Sequence, residues 1–157
     1  MSKTVILARP HPFIATEMRP LLEGLGYQTK KPELLADLDN MVGGAKGAVV
    51  SLALSSPLGE SAEAVVRRLG AVSDKLPLIF TSMLPFEQAK QNLGRLAQAM
   101  QLSVTLLGVD DAMANASKLG KRETFVYLSK EDITDPTRRR VTEKLISQHF
   151  MDFNNFL

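Results

Sequence analysis

The sequence predicts an α/β protein of three layers, in which a doubly wound, mostly parallel β-sheet lies between two layers of helices. Short apolar runs without polar alternation, typical of strands covered on both faces, alternate along the chain with amphipathic helical patterns. Such alternation implies parallel strands joined by crossover helices. The chain of 157 residues is long enough for one domain with a substantial core. We therefore expect a single domain over residues 1–150 and a C-terminal tail over residues 151–157.

Three strands and two helices are predicted in the first 54 residues. Apolar side chains recur at helical spacing from Phe13 to Leu25, and Pro20 should kink this helix because proline lacks a backbone donor. The glycines of Gly43-Gly44-x-x-Gly47 precede a strand instead of following one, so they predict a turn and not a dinucleotide site. In chain order the elements are a strand at Lys3–Ala8, the helix from Phe13, a strand at Tyr27–Lys30, a helix at Leu34–Val42 and a strand at Ala48–Leu54.

Three more strands and four helices follow, which makes about six βα units in all. Ser61 is a typical N-cap residue, and Asp135 is a second one, followed by Pro136 at the favoured first helical position. In chain order the elements are a helix at Ser61–Val72, a strand at Leu76–Ser82, a helix at Phe86–Met100, a strand at Ser103–Gly108, a helix at Asp110–Leu119, a strand at Thr124–Ser129 and a helix from Asp135.

Composition and charge exclude several classes of function. The absence of cysteine excludes disulfides, thiolate metal sites and cysteine nucleophiles. No signal-peptide pattern and no apolar stretch of about 20 residues is present, so we expect a cytoplasmic protein without membrane contact. The net charge is +2, and its local focus is the triplet Arg138-Arg139-Arg140. Such a triplet is typical of a solvated helix face, so we do not expect nucleic-acid binding.

Three segments resemble the receiver domains of bacterial response regulators. The stretch VILARPHPFIATEMRPLLEGLGY resembles the first strand and helix, where a receiver strand ends in two acidic residues. The stretch KGAVVSLALSSPLG resembles the third strand, which carries the phosphorylated aspartate, and FVYLSKED resembles the last strand, which an invariant lysine follows. The resemblance implies a flavodoxin-like, CheY-like fold in which the region from Leu84 to about Gly108 is an extra helix and strand relative to an ordinary receiver.

The residues that a receiver uses for phosphorylation are mostly replaced. By this resemblance the acidic pair falls on Arg9 and Pro10, the phospho-acceptor on Ser51, and the lysine on Lys130. The switch hydroxyl falls on Ser82, or near Leu107 if Ser103–Gly108 is the equivalent of the fourth strand. Receiver phosphorylation needs Mg²⁺, a cation held by oxygen ligands, and a guanidinium at that place would repel it. Serine cannot form an acyl phosphate, so the expectation is a degenerate pseudo-receiver that is not phosphorylated on aspartate.

The leading hypothesis is a non-enzymatic module of a bacterial two-component system that acts by protein–protein interaction. The expected interaction face carries Arg138, Arg139, Arg140 and Lys144, which suits an acidic protein partner or a homodimer. The alternative is a flavodoxin-like domain that binds a small anion or a nucleotide with Arg9, Ser51 and Lys130, joined by Ser82.

Catalysis and metal binding are not expected. No serine nucleophile with a well-placed base is visible, and His11 and His149 are too few for a metal site. We therefore predict no cofactor. Lys130 also has a plain interpretation, as a solvated lysine beside Glu131 and Asp132.

Overall fold

Six parallel strands pair into one sheet in the computed structural model, which describes residues 3–9, 14–52, 61–73 and 75–150. The predicted α/β fold is therefore confirmed. The C-terminal tail at 151–157 lies outside the described residues. The strands are β1 (Lys3–Arg9), β2 (Tyr27–Lys30), β3 (Ala45–Ser51), β4 (Leu78–Thr81), β5 (Thr105–Leu107) and β6 (Thr124–Leu128).

Seven α-helices in the described ranges cover the two faces of this sheet. One apolar core joins the sheet to α1, α5, α6 and α7, and a second core joins the opposite face to α2, α3 and α4. This division is what right-handed crossovers require, because the direction of each step along the sheet decides which face its helix covers. The helices are α1 (Arg19–Gly24), α2 (Leu38–Met41), α3 (Ala62–Val72), α4 (Phe86–Ala99), α5 (Val109–Ala114), α6 (Lys130–Thr134) and α7 (Pro136–His149).

The order β2-β1-β3-β4-β6-β5 places the last strand of the chain inside the sheet. Flavodoxin-like sheets have the order 2-1-3-4-5. Here β6 pairs with β4 and so occupies the fifth place, while β5 is added outside it as the outermost strand. The extra strand that the resemblance implied is therefore β5, reached through α4.

Local sequence signals explain where the helices begin. Ser61 accepts a hydrogen bond from the backbone of Ala64, and Asp135 accepts one from Arg138, so both predicted N-caps are confirmed. Pro20 lies in the first turn of α1, directly after a π-helical turn at Ile14–Met18. Kinks are common at prolines and at such π turns, and the predicted kink stays a prediction.

Gly47 corrects the interpretation of the glycine pattern as a turn. Gly43 and Gly44 do form the turn, but β3 begins at Ala45 and Gly47 lies inside it. A Cβ built on Gly47 would lie 2.1 Å from Cε1 of Phe150, so the missing side chain makes room for that ring. The described helices are all too short or too polar to cross a bilayer.

Candidate functional site

The carboxyl ends of β1, β3, β4 and β6 lie side by side at one edge of the sheet, where doubly wound proteins bind ligands. Arg9 is the last residue of β1 and Ser51 is the last residue of β3. Ser82 directly follows β4, and Lys130 begins α6 just after β6. Pro10 and the side chain of Arg9 lie outside the described residues. The convergence of Arg9, Ser51 and Lys130 on one anion therefore stays a prediction.

The sheet order bears on which hydroxyl stands next to β3. Because β4 pairs with β3 and Ser51 is in register with Thr81, Ser82 follows the strand adjacent to Ser51. Leu107 ends β5, which is three strands away from β3, about 14 Å at the usual strand spacing. The geometry therefore favours Ser82 over the neighbourhood of Leu107.

Ser82 is held in a closed ring of hydrogen bonds with Tyr127. The hydroxyl of Tyr127 donates to the carbonyl of Leu84 at 2.5 Å, and Ser82 Oγ lies 2.5 Å from the same tyrosine oxygen. The backbone N–H of Leu84 donates to Ser82 Oγ at 3.1 Å. Burial raises the pKa of Tyr127, so its hydroxyl stays a neutral donor. With its proton directed at Tyr127, the hydroxyl of Ser82 is not a ready donor to an anion.

Thr81 is a candidate site residue that the sequence analysis missed. It is fully buried, and its Oγ1 has no hydrogen-bond partner in the described structure. Side chains alternate along a strand, so Thr81 points to the same face as Ile79, toward the layer that contains α1 and α7. The sequence feature that could have indicated this residue is the polar pair Thr81-Ser82 at the end of an apolar strand.

Asp132 fixes the segment that carries Lys130. Its Oδ2 accepts hydrogen bonds from the backbone and hydroxyl of Ser129 at 2.8 and 3.0 Å, which completes a capping box at the start of α6. Its Oδ1 accepts from Arg138 Nε at 2.7 Å. This bond and the nearby carboxylate of Asp110 raise the pKa of Arg138, which therefore remains a cation. Lys130 itself is exposed.

An acidic cleft of about 340 Å³ lies beside this segment, between the ends of β4, β5 and β6. Arg138 is the cation in its lining, and it is bound to Asp132 and faces Asp110 at 3.5 Å. Within the described part of the chain, no group of three or more acidic or histidine side chains could hold a metal ion. The excess negative charge makes this cleft unsuitable for an anion. Its carboxylates belong to Glu87, Asp110, Asp111, Glu131 and Asp132.

The four cations predicted as an interaction face divide between different sides of α7. Successive helical residues are about 100° apart, so Arg138, Arg139 and Arg140 cannot share one side. Arg138 faces Asp132, and Arg139 is half-buried. Arg140 and Lys144 are exposed, and their spacing of four residues places them together.

His149 takes no part in the site at the carboxyl ends of the strands. His149 is fully buried; its Nδ1 accepts a hydrogen bond from the backbone of Gly120, and its Nε2 lies 2.9 Å from the carbonyl of Leu78. Burial lowers the pKa of His149 to about 4. Both ring nitrogens are thus engaged with backbone groups inside the fold. His11 lies outside the described residues.

Comparison with known proteins places this architecture among receiver domains. The structure is similar to the receiver domain of a sensor histidine kinase from Pseudomonas aeruginosa PAO1, which was solved with a magnesium ion in its active-site cleft, with a TM-score of 0.57 and 12% identity over 96% of this chain and 99% of that one. It is also similar to a response regulator receiver protein from Sinorhizobium medicae WSM419, with a TM-score of 0.54 and 12% identity over 96% of this chain and 95% of that one. No protein-family model and no curated protein matches the sequence. The chain therefore has the fold of a response-regulator receiver domain.

Proposed function

We propose that this chain is a receiver-like signalling module that acts through protein–protein contacts and does not take up a phosphoryl group on aspartate. The observation that carries the proposal is Ser51. This serine is the buried last residue of β3, the strand that resembles the phospho-acceptor strand of receivers. A serine hydroxyl cannot form the acyl phosphate on which that chemistry depends. The proposed setting is a cytoplasmic, bacterial two-component pathway.

The neighbouring residues support the same proposal. Arg9 ends β1 and Pro10 follows it, where the resemblance places two acidic ligands for Mg²⁺. A guanidinium and a proline supply no carboxylate oxygen for a hard cation. Ser82 is bound to Tyr127, so its hydroxyl is already engaged. We infer a regulatory module without enzymatic activity.

A phosphorylation challenge tests the proposal directly. The protein is incubated with Mg²⁺ and acetyl phosphate beside an ordinary receiver domain, and the intact mass of both is measured. We expect an added phosphoryl group on the ordinary receiver and an unchanged mass for this chain. A phosphoryl adduct on this chain that hydroxylamine removes would contradict the proposal, because that lability is typical of an acyl phosphate.

The contact surface is proposed to lie around Arg140 and Lys144 on α7, with an acidic protein as partner or a second copy of the chain. The double substitution Arg140→Glu and Lys144→Glu should abolish association measured by light scattering or by recovery of bound protein. The matched control is Lys46→Glu with Arg95→Glu, which changes the charge equally on two exposed residues of other elements. The proposed contact surface would be contradicted if the chain is strictly monomeric, has no partner and behaves the same after this charge reversal.

Binding of a small anion at the same sheet edge is the second candidate function, favoured by the buried hydroxyl of Thr81 beside Ser51. An anion held by Arg9, Ser51 and Lys130 would give Thr81 Oγ1 a partner. Thermal unfolding is measured with phosphate, nucleotides and cyclic dinucleotides for the wild type, Arg9→Ala and Thr81→Val. A ligand-dependent rise in Tm that both substitutions reduce supports this function, and no rise in the wild type ends it.

A further inference from the structure

A second cleft, of about 410 Å³, opens at the opposite edge of the sheet, where β5 and β6 begin. Its walls come from the second half of α3, from the turn that follows α4 and from the turn before β6. The residues placed at the carboxyl ends of β1, β3, β4 and β6 do not line it. The lining residues are Arg67, Gly70, Met100, Leu102, Arg122 and Glu123.

One guanidinium group of this cleft is held in place by its own hydrogen bonds. Arg67 Nη2 donates to the carbonyl of Ala99, at the end of α4, at 2.6 Å. Its Nε donates to Glu63 one turn earlier on α3 at 3.1 Å. Arg67 thereby bridges two helices and presents the rest of its planar fork at the cleft wall. A guanidinium has five N–H donors, so donors remain for a ligand.

The second guanidinium, that of Arg122, lies against α3 at Gly70. A Cβ built on Gly70 would lie 3.1 Å from Arg122 Nη2, closer than most side chains allow. The glycine in the middle of this helix therefore gives the arginine room to approach. Arg122 is half-buried, which keeps part of its charge away from bulk water.

Met100 and Leu102 give the cleft an apolar wall. Leu102 is 40% exposed, and Met100 is half-buried. The turn between them is fixed by a hydrogen bond from the backbone of Leu102 to the carbonyl of Ala97 at 2.9 Å. Gln101 has a φ of 55° in this turn, which is the one positive φ of a non-glycine residue in the described chain. A mostly apolar cleft of this size with a few fixed polar groups is the usual form of a small-molecule site.

We propose that this cleft binds a small carboxylic acid with an apolar body, whose carboxylate lies between Arg67 and Arg122. Guanidinium forks match the two oxygens of a carboxylate, and the apolar body would lie against Met100 and Leu102. Glu63 on α3 is hydrogen-bonded to Arg67, and Glu123 adds a carboxylate to the lining. These carboxylates would repel the second negative charge of a phosphate, so a ligand with one negative charge is favoured. The site is independent of the sheet edge that carries the proposed signalling function.

The test compares 1-naphthoate with 1-naphthamide, which has nearly the same shape without the charge. Binding is measured by calorimetry and by NMR of the methionine and leucine methyl groups in the full chain. We expect saturable binding of naphthoate with a dissociation constant of about 1 mM or lower. The shifts should centre on Met100 and Leu102, and naphthamide should bind at least fivefold more weakly.

Two variants and their controls locate the site. Arg122→Gln should weaken naphthoate binding at least fivefold, whereas Arg95→Gln, on an exposed part of α4, should not. Leu102→Asp places a carboxylate in the cleft and should abolish binding, whereas Leu84→Asp, equally exposed at the other sheet edge, should leave it unchanged. Leu102→Asp decides the matter if Arg122→Gln does not fold. Equal affinity for the acid and the amide, or unchanged binding by Leu102→Asp, would overturn the proposal.

Discussion

Individual buried side chains join distant parts of this fold, and His149 is the clearest case. Its two ring nitrogens connect the end of α7 to the start of β4 and to Gly120. Since Nδ1 accepts a hydrogen bond from a backbone N–H, the ring is neutral in the folded chain with its proton on Nε2. Protonation of Nδ1 would put a charge in the core and place two N–H groups against each other.

The stability of the protein should therefore fall as the solution is acidified. Burial lowers the pKa of His149 from 6.5 to about 4. Below pH 6.5 the unfolded chain takes up a proton that the folded chain does not, so the contribution of His149 is complete at neutral pH and is lost on acidification. Urea unfolding should show a loss of about 2 kcal/mol between pH 7.5 and pH 5.

Two variants assign this loss. His149→Gln should unfold with a much smaller change over the same pH interval. His11→Gln removes the other histidine of the chain and should keep the full change. An undiminished pH dependence in His149→Gln would assign the effect to other groups.

Gly47 and Gly94 should respond in opposite directions to the same substitution. Gly47→Ala should lower the free energy of unfolding by about 2 kcal/mol, because the new methyl overlaps the ring of Phe150. Gly94→Ala should raise it by about 0.5–1 kcal/mol, because nothing lies near its Cβ and alanine favours the helix. Denaturant unfolding of both variants checks the pair, and equal effects at the two positions would contradict the packing described.

At the scale of elements, β1, β3, β4 and β6 were predictable because each contains a run of apolar residues. Strand β2, with the sequence Tyr-Gln-Thr-Lys, has no such run. The helix α6 was not predicted, since its five residues are too few to show a periodic pattern. Its signal was the pair Ser129 and Asp132, three residues apart, which forms the capping box. Thr81 and Tyr127 escaped notice as site residues because their roles depend on contacts between strands.

The turn at the end of α4 offers a test on this scale. Gln101→Gly should raise the free energy of unfolding by about 1 kcal/mol, because a side chain is disfavoured at a φ of 55° and glycine is not. Gln91→Gly, at an exposed position inside the same helix, should lower it by about 1 kcal/mol. Thermal unfolding of the two variants should therefore move Tm in opposite directions.

At the scale of the whole molecule, the strand order was the feature that the sequence could not supply. Apolar runs predict that strands exist, but their neighbours depend on which way each crossover leads. The crossover from β4 to β5 leaves room for one strand between them, and β6 then occupies that position. Leu78 and Phe125 are in register although 47 positions separate them. No sequence feature of either segment indicates that the two strands pair.

The two cores share the strands of one sheet, so we expect them to unfold together. Tyr27 belongs to one core and Tyr127 to the other, and the chain has no tryptophan. The variants Tyr27→Phe and Tyr127→Phe each leave one tyrosine as a fluorescent reporter of one layer. Within each variant, the urea midpoint by fluorescence should coincide with the midpoint by circular dichroism. Separate midpoints would show that the layers unfold independently.

The strand order also determines what a ribosome-bound chain can form. Strand β5 pairs with β6, and β6 is made after it, so β5 has no hydrogen-bonding neighbour while residues 108–123 are being synthesised. Strands β1 to β4 can pair as soon as they emerge, but the free side of β4 keeps unpaired backbone N–H and C=O groups until β6 is made. Unpaired backbone groups of this kind can pair with other chains. A chain stalled before Thr124 would therefore be the form most exposed to aggregation, and it is the form that a chaperone would have to protect.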